Sequence, residues 1–432
     1  MRLRSFLIAV LILFSVQLYA QSTEIRSRFE MLDELLGENS FFDNHLTGFM
    51  LYDLDSQWVQ YEKNSHMNFI PASTTKLLTF YASVLILRDS TVSFRYVNNG
   101  NEITIWGSGD PSWKYSSVPQ PKLVEFFKPY NKINFSLENW KDTPFGYGWQ
   151  WDDYYFSYSP ERSPFPVYGN IVTFTNTNKV PVSNIPLFNS MLSKSDKEIR
   201  GVQRDFISNT FYYNPPLYIN QFSTLPFITS PDLMAKLLEE SLGKSVSLTK
   251  QHIPGNARVF KGGSIKPLWR EMLQESDNFI AEQILMMVSD VLFNELNSER
   301  AIDYIKKNHM ADFPDAPQWV DGSGLSRHNL VTPRSMITLM VKLDNLLPRN
   351  ELMQLLPQGG INGTLKNNYK APRPYVFAKT GTISNHHALV GLVKGNSGKL
   401  YAFAFMNNNY LNKASEIRRE MEKVMLFIKE NY

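Results

Sequence analysis

The stretch PASTTKLLTF, Pro71–Phe80, places Ser73 three residues before Lys76. From Ser73 the apolar positions Leu77, Leu78, Tyr81, Val84 and Leu85 recur at helical spacing. The pair therefore falls at i and i+3 on one face, at the start of a buried helix. A serine hydroxyl is a poor nucleophile until a neighbour takes its proton, and a lysine one turn away is placed to do so. Spacing alone decides little, because Ser241/Lys244 and Ser247/Lys250 repeat it. The partners of the pair must decide.

Working outward, the chain holds one Ser-x-Asn, Ser276-Asp277-Asn278, and one Lys-Thr-Gly, Lys379-Thr380-Gly381. Ser276 interrupts a helical pattern running from Leu268 to Phe293, and Lys379 lies in the strand-like YVFAKTGTI. The order SxxK, SDN, KTG is the set that β-lactamases and penicillin-binding proteins share. Each residue type has a task in that chemistry. Burial and the nearby Lys379 cation would lower the pKa of Lys76, so that a neutral amine can act as base. Ser276 can relay a proton to a leaving amine, and Asn278 can hold Lys76 and a substrate amide. Lys379 and Thr380 offer a charge and a hydroxyl to a substrate carboxylate, while Gly381 lets substrate backbone lie against the strand. The N–H groups of Ser73 and Thr382 would form an oxyanion hole, worth roughly 3–4 kcal/mol per donor in comparable sites.

The N-terminus reads MRLRS, then the apolar run Phe6–Val16, then Gln17-Leu18-Tyr19-Ala20. That pattern reads as a secretory signal peptide, expected over residues 1–20. The run is too short for a transmembrane helix, which needs about 20 residues, and no later stretch is apolar enough to span. Cysteine is absent, which excludes disulfides, thiol nucleophiles and thiolate metal sites. An exported chain without disulfides suits a bacterial periplasm. Lys and Arg total 44 against 41 Asp and Glu, or 42 against 41 without Arg2 and Arg4. A balance so near neutral gives no reason to expect a nucleic-acid partner.

Coarse organisation follows from periodicity. Ser22–Leu36 reads as an amphipathic helix, Gly48–Glu62 as paired strands, and Pro333–Leu346 and Lys413–Glu430 as helices. Strands are expected at Val376–Ile383, Ala388–Lys394 and Leu400–Met406. Residues 106–158 carry five of the eight tryptophans, and this change in composition marks a β-rich insertion. The expected fold is α/β (α+β), an antiparallel sheet flanked by helices. Residues 21–95 and 262–432 would form one domain, interrupted by an insertion domain over 96–261.

With these residues in place, the sequence resembles the low-molecular-mass penicillin-binding proteins with a large insertion, the D-alanyl-D-alanine carboxypeptidase/endopeptidases of peptidase family S13. Beyond the three motifs, SDNFIAE (Ser276–Glu282), DGSGLSRHNLVTPR (Asp321–Arg334), GDPS (Gly109–Ser112) and WQWDDYYFSY (Trp149–Tyr158) look like that group's signatures. The interval of 203 residues from Ser73 to Ser276 also fits it, whereas class A β-lactamases have a much shorter one. The resemblance implies a serine DD-peptidase acting on peptidoglycan stem peptides through an acyl-enzyme. It implies β-lactams as inhibitors and no cofactor. It also implies that Asp153, with Tyr158 nearby and Arg327 opposite, meets the ammonium and carboxylate of the stem's side-chain residue. A β-lactamase-like hydrolase and a catalytically silent peptidoglycan-binding protein are the rival readings. His386-His387 depart from the small or apolar residues usual after KTGT. Strand alternation lets at most one face the cleft, so they read as supporting or surface residues, and two neighbours without a third ligand do not make a metal site. The tryptophans of the insertion read as packing rather than as a glycan platform.

Overall fold

The computed structural model describes residues 28–38, 40–118 and 122–432. The signal-peptide reading and the first part of the Ser22–Leu36 helix lie outside the described residues, while 28–36 are helical. The central sheet is antiparallel throughout, in the order Val376–Ile383, His386–Lys394, Leu400–Asn408, Leu46–Asp53, Trp58–Lys63. Alternation along its strands supplies two cores. Met50, Ala388, Val390, Leu392, Ala404 and Met406 face the helices Lys76–Ile86, Asn278–Phe293 and Pro333–Leu346. Phe49, Leu51, Leu389, Val393, Phe403 and Phe405 face the closing helix Ala414–Asn431, which contributes Ile417, Met421, Val424 and Ile428. Each fully buried Val, Leu, Ile, Phe or Met side chain among these stabilises by about 1.5–3 kcal/mol, so both faces of the sheet are committed.

Local chemistry sets the helix ends. The Thr332 side chain accepts the Ser335 N–H and Pro333 takes the first turn, where its missing N–H costs nothing. The segment from Leu268 to Phe293 is not one helix. Lys266–Arg270 passes into a π-turn, Glu271–Glu275, then Ser276 turns left-handed at φ 62°, and Asn278–Phe293 begins afresh under the Asp277 cap.

Between the strands Ser90–Asn99 and Arg258–Ser264 the chain builds a second body. Those two strands pair with each other and join a five-stranded mixed sheet with Glu102–Gly107, Lys132–Ser136 and Ser245–Thr249. Two three-stranded sheets accompany it, over a separate aromatic-rich core that includes Phe94, Trp113, Phe135, Phe174 and Phe211. Trp106 and Trp113 are buried, whereas Trp151 is 75 % exposed and meets the edge of Phe206 alone among the described ring contacts.

Candidate active site

A 3-10 turn, Ala72–Thr75, leads into the helix Lys76–Ile86. Ser73 on this turn is half-buried, whereas Lys76 is fully buried. Lys76 Nζ lies 3.0 Å from Ser73 Oγ, 2.6 Å from Asn278 Oδ1 and 2.7 Å from the Ser323 carbonyl oxygen. The last two oxygens can only accept. A neutral amine has two N–H groups and one lone pair, so donating to both aims the lone pair at the Ser73 hydroxyl. Burial pushes Lys76 down to about 8, against the pull of Asp321, Asp277 and Glu282. The neighbouring-cation argument made from sequence applies instead to Lys379, which burial first and the Lys76 charge second push well below the ordinary lysine range.

The loop that supplies the Ser323 carbonyl is tied on both sides. Glu282 Oε1 accepts the Ser323 N–H at 2.7 Å, and Asp321 accepts the N–H groups of Gly324 and Ser326 at 2.8 and 2.7 Å. Gly324 has φ +85°, and a Cβ there would fall 1.9 Å from the Ala72 carbonyl oxygen. Only glycine lets the loop lie against the nucleophile turn. The motifs at Ser276–Glu282 and Asp321–Arg334 were legible as signatures, but nothing in their spacing shows that a backbone carbonyl at Ser323 would hold Lys76.

The π-turn and the left-handed Ser276 carry Ser276 Oγ to 2.9 Å from Lys379 Nζ. A non-glycine residue in that conformation costs about 1–2 kcal/mol, and the Asp277 cap offsets part of it. Asp277 accepts the Ile280 N–H at 2.8 Å and the Tyr115 hydroxyl. Asn278 Nδ2 donates to the Tyr158 carbonyl oxygen at 2.8 Å. The side-chain amide expected to hold a substrate amide therefore gives one of its two N–H groups to the chain itself.

Lys379 is fully buried and donates to Ser276 Oγ and, at 2.7 Å, to the Thr380 carbonyl oxygen. Gly381 follows, where a Cβ would fall 2.3 Å from the Pro71 carbonyl oxygen and 3.0 Å from the Ser73 nitrogen. Its bare Cα thus admits the nucleophile turn, a different use from the one expected from sequence. Thr380 and Thr382 alternate to the opposite face of the strand. Thr380 Oγ1 donates to Thr364 Oγ1 and Thr382 Oγ1 pairs with His387 Nδ1, both at 2.7 Å. Both histidines are buried, at 5 % and 2 % exposure, so the surface alternative is corrected. Burial, with the Arg418 and Lys379 charges, pushes His387 down to about 3 and leaves it neutral.

Asp153 sits half-buried on the turn Trp151–Tyr155 and accepts the Tyr158 hydroxyl at 2.6 Å. Tyr158 stacks on Phe156 with ring centroids 5.3 Å apart. Arg327 reaches the Ser384 carbonyl oxygen at 3.4 Å and forms no ion pair with Asp153 among the described residues. No group of three or more metal-ligating side chains occurs among the described residues, nor does any helix there have the length and apolarity to cross a membrane.

An antiparallel sheet under helices, with an SxxK serine and a KTG strand facing one cleft, defines the serine DD-peptidase and β-lactamase class of fold. Within it, the chain belongs to the D-Ala-D-Ala carboxypeptidase 3 (S13) family, whose profile matches residues 29–194 and 229–430. It is an enzyme of that family, a hydrolase. It is 22 % identical to the D-alanyl-D-alanine carboxypeptidase DacB of Haemophilus influenzae, over 89 % of this chain and 90 % of that one. Over 42 % of this chain and 43 % of the relative, it is 32 % identical to the carboxypeptidase DacB of Mycolicibacterium smegmatis. The solved structure of penicillin binding protein 4 from Haemophilus influenzae superposes with a TM-score of 0.69 at 20 % identity, covering 93 % of this chain and 97 % of that one.

Proposed function

We propose that this chain cleaves D-Ala-D-Ala and related bonds of peptidoglycan stem peptides through an ester on Ser73, after export to the periplasm. The observation that carries the reading is the three-way hold on Lys76 Nζ by Ser73 Oγ, Asn278 Oδ1 and the Ser323 carbonyl oxygen. Lys76 takes the Ser73 proton as Oγ adds to the scissile carbonyl carbon. The oxyanion is met by the N–H groups of Ser73 and Thr382. As the intermediate collapses, the C–N bond breaks and the leaving amine receives, relayed through Ser276, the proton that Lys76 took, which returns Lys76 to the neutral amine. Water, deprotonated by Lys76, then hydrolyses the ester and restores the Ser73 hydroxyl. Thr380 and Thr382 hydroxyls receive the substrate carboxylate, Gly381 keeps the strand close, and Lys379 orients Ser276. Asp153, Tyr158 and Arg327 meet the stem's side-chain residue. The same reading divides the chain into a peptidase domain, 21–95 and 262–432, and an insertion over 96–261 whose stem is the paired strands at its ends.

A fluorescent penicillin with intact-mass and peptide mapping tests this. One label on Ser73, none on Ser241 or Ser247, and release of D-Ala from a stem pentapeptide are expected. Ser241 accepts the Trp113 indole N–H and donates to the Leu238 carbonyl, which leaves it no base. Rapid turnover of the penicilloyl ester would favour the β-lactamase-like reading, and an unlabelled folded protein the silent one.

A further inference from the structure

Trp151 stands on the turn that carries Asp153, and most of its indole is open to solvent. Its neighbour Phe206 lies at 6.4 Å between ring centroids and 78° between ring planes. Together with Trp149, Tyr154, Ile207 and Ile228 the two line a groove of about 560 Å³, within the range of small-molecule sites, about 300–1,000 Å³. Ile207 is 85 % exposed. Large apolar side chains gathered bare in this way mark an interaction site. Charge narrows the occupant. No residue of the lining is charged, and Asp152 and Asp205 adjoin Trp151 and Phe206 in the chain. Arg204, over the Tyr154 ring, is buried and spends its N–H groups on the carbonyl oxygens of Pro226, Asp205 and Tyr154. An anionic lipid surface or a phosphate therefore meets no cation in the lining, whereas a neutral ligand is welcome.

We propose that this groove receives an N-acetylated amino sugar of the glycan strand that carries the stem peptide, with Trp151 as the stacking face and Phe206 and Ile207 beside it. The inference rests on the serine-peptidase reading above and extends the substrate from peptide to glycopeptide. Position supports it. Trp151 lies two residues before Asp153, and Asp153 accepts the hydroxyl of Tyr158, the residue before Ser159 in the lining. The groove thus continues the stretch assigned to the stem's side-chain residue, and beyond that residue a stem peptide leads to its sugar. The chemistry matches as well. A pyranose presents a face of C–H groups ringed by hydroxyls, and the negative face of an indole attracts such C–H groups. The N-acetyl methyl suits apolar walls. Its amide suits Gln150, an exposed residue of the lining whose side chain forms no hydrogen bond with any described residue.

The test compares kcat/KM for a free stem pentapeptide with that for the same peptide on its N-acetylglucosamine–N-acetylmuramic acid disaccharide, in wild type, Trp151→Ala, Trp151→Phe and Ile207→Asn. Wild type should prefer the glycopeptide roughly tenfold, the yield of one well-placed aromatic contact. Trp151→Ala should erase that preference and leave the free peptide nearly unchanged. Trp151→Phe should keep part of it. Ile207→Asn, outside the Asp153 turn, should lose activity on the glycopeptide alone. Equal losses on both substrates would reduce Trp151 to a support of the turn and overturn the proposal, as would a wild type indifferent to the sugar. Vesicles of phosphatidylglycerol and phosphatidylethanolamine probe the rival occupant. If they sediment wild type but not Trp151→Ala, while no preference for the glycopeptide exists, the face meets a membrane and the proposal falls. Penicillin should label Ser73 of every variant to completion, and an unlabelled wild type would mark failure of the serine-peptidase reading instead. Binding of the peptide-free disaccharide, followed by calorimetry, should be lost in Trp151→Ala whichever way the labelling goes, and a wild type that does not bind it would also sink the proposal.

Discussion

At the scale of single residues, the position of one lone pair governs the reaction. Lys76 has two oxygens that accept and one hydroxyl that can give, so the amine is useful only when unprotonated. Burial holds its pKa down to about 8. The competent fraction therefore rises as pH climbs through that value and falls about tenfold per unit below it. Penicillin acylation of Ser73, followed by stopped flow from about pH 6 to about pH 10, should rise and then level near the Lys76 value. A flat profile would exclude Lys76 as base. Lys76→Ala should abolish acylation while the fold, followed by circular dichroism, persists. The side chains of this step were legible because their chemistry demands fixed residue types at fixed spacing. Ser323 was not, since any residue has a carbonyl.

At the scale of elements, turns rather than helices aim the functional groups. The Pro333–Leu346 helix could be read to its ends, because its cap and its proline are local signals. The π-turn at Glu271–Glu275 could not. It adds a residue to one turn without disturbing the apolar pattern on either side, and the left-handed Ser276 that follows meets Lys379, distant in sequence. The turn Trp151–Tyr155 is braced in the same non-local way. Phe206 packs edge-on against Trp151 and Tyr154, and Arg204 stacks 4.2 Å from the Tyr154 ring centroid. Both braces belong to residues 195–228, which the family profile leaves unmatched. If Asp153 on that turn meets a substrate ammonium, Asp153→Asn should lower kcat/KM about tenfold or more for stem peptides with a free ammonium on the residue before D-Ala-D-Ala. Acylation by small penicillins lacking that ammonium should barely change. Equal losses on both would reduce Asp153 to a support of the turn.

At the scale of the whole molecule, a buried charge network ties the second body to the catalytic loop. Arg162, 3 % exposed, lies 3.2 Å from Asp142 and 3.5 Å from Glu282, and Trp149 donates to Asp321 at 3.0 Å. Burial and repulsion from Asp321 push Glu282 up to about 7 from an ordinary 4.5. Between those values the folded protein keeps a proton that the unfolded chain has released, so stability falls as pH rises through that window. Glu282→Gln should flatten this slope in urea unfolding. Arg162→Met should destabilise by roughly 3–5 kcal/mol by leaving buried carboxylates unopposed, and Glu282→Gln in the same chain should restore part of it. An unchanged slope or an unaffected Arg162→Met would mean the network is slack. None of this was visible in the sequence, where Arg162, Glu282 and Asp321 are far apart. Strand existence was readable from alternation, but strand order was not, because Leu46–Asp53 finds Leu400–Asn408 only through the finished core.

The paired strands at the foot of the second body bear on any attempt to miniaturise the enzyme. Ser90 stands opposite Ser264 in their ladder, so the severed ends would be about one strand spacing, near 5 Å, apart. A short hairpin could bridge them. The shortened chain would nonetheless lose Tyr115 from Asp277 and the Tyr158 carbonyl from Asn278, the two clasps on the residues that follow Ser276. What looks at its base like a detachable module is, at its tip, part of the vice that holds the reacting groups.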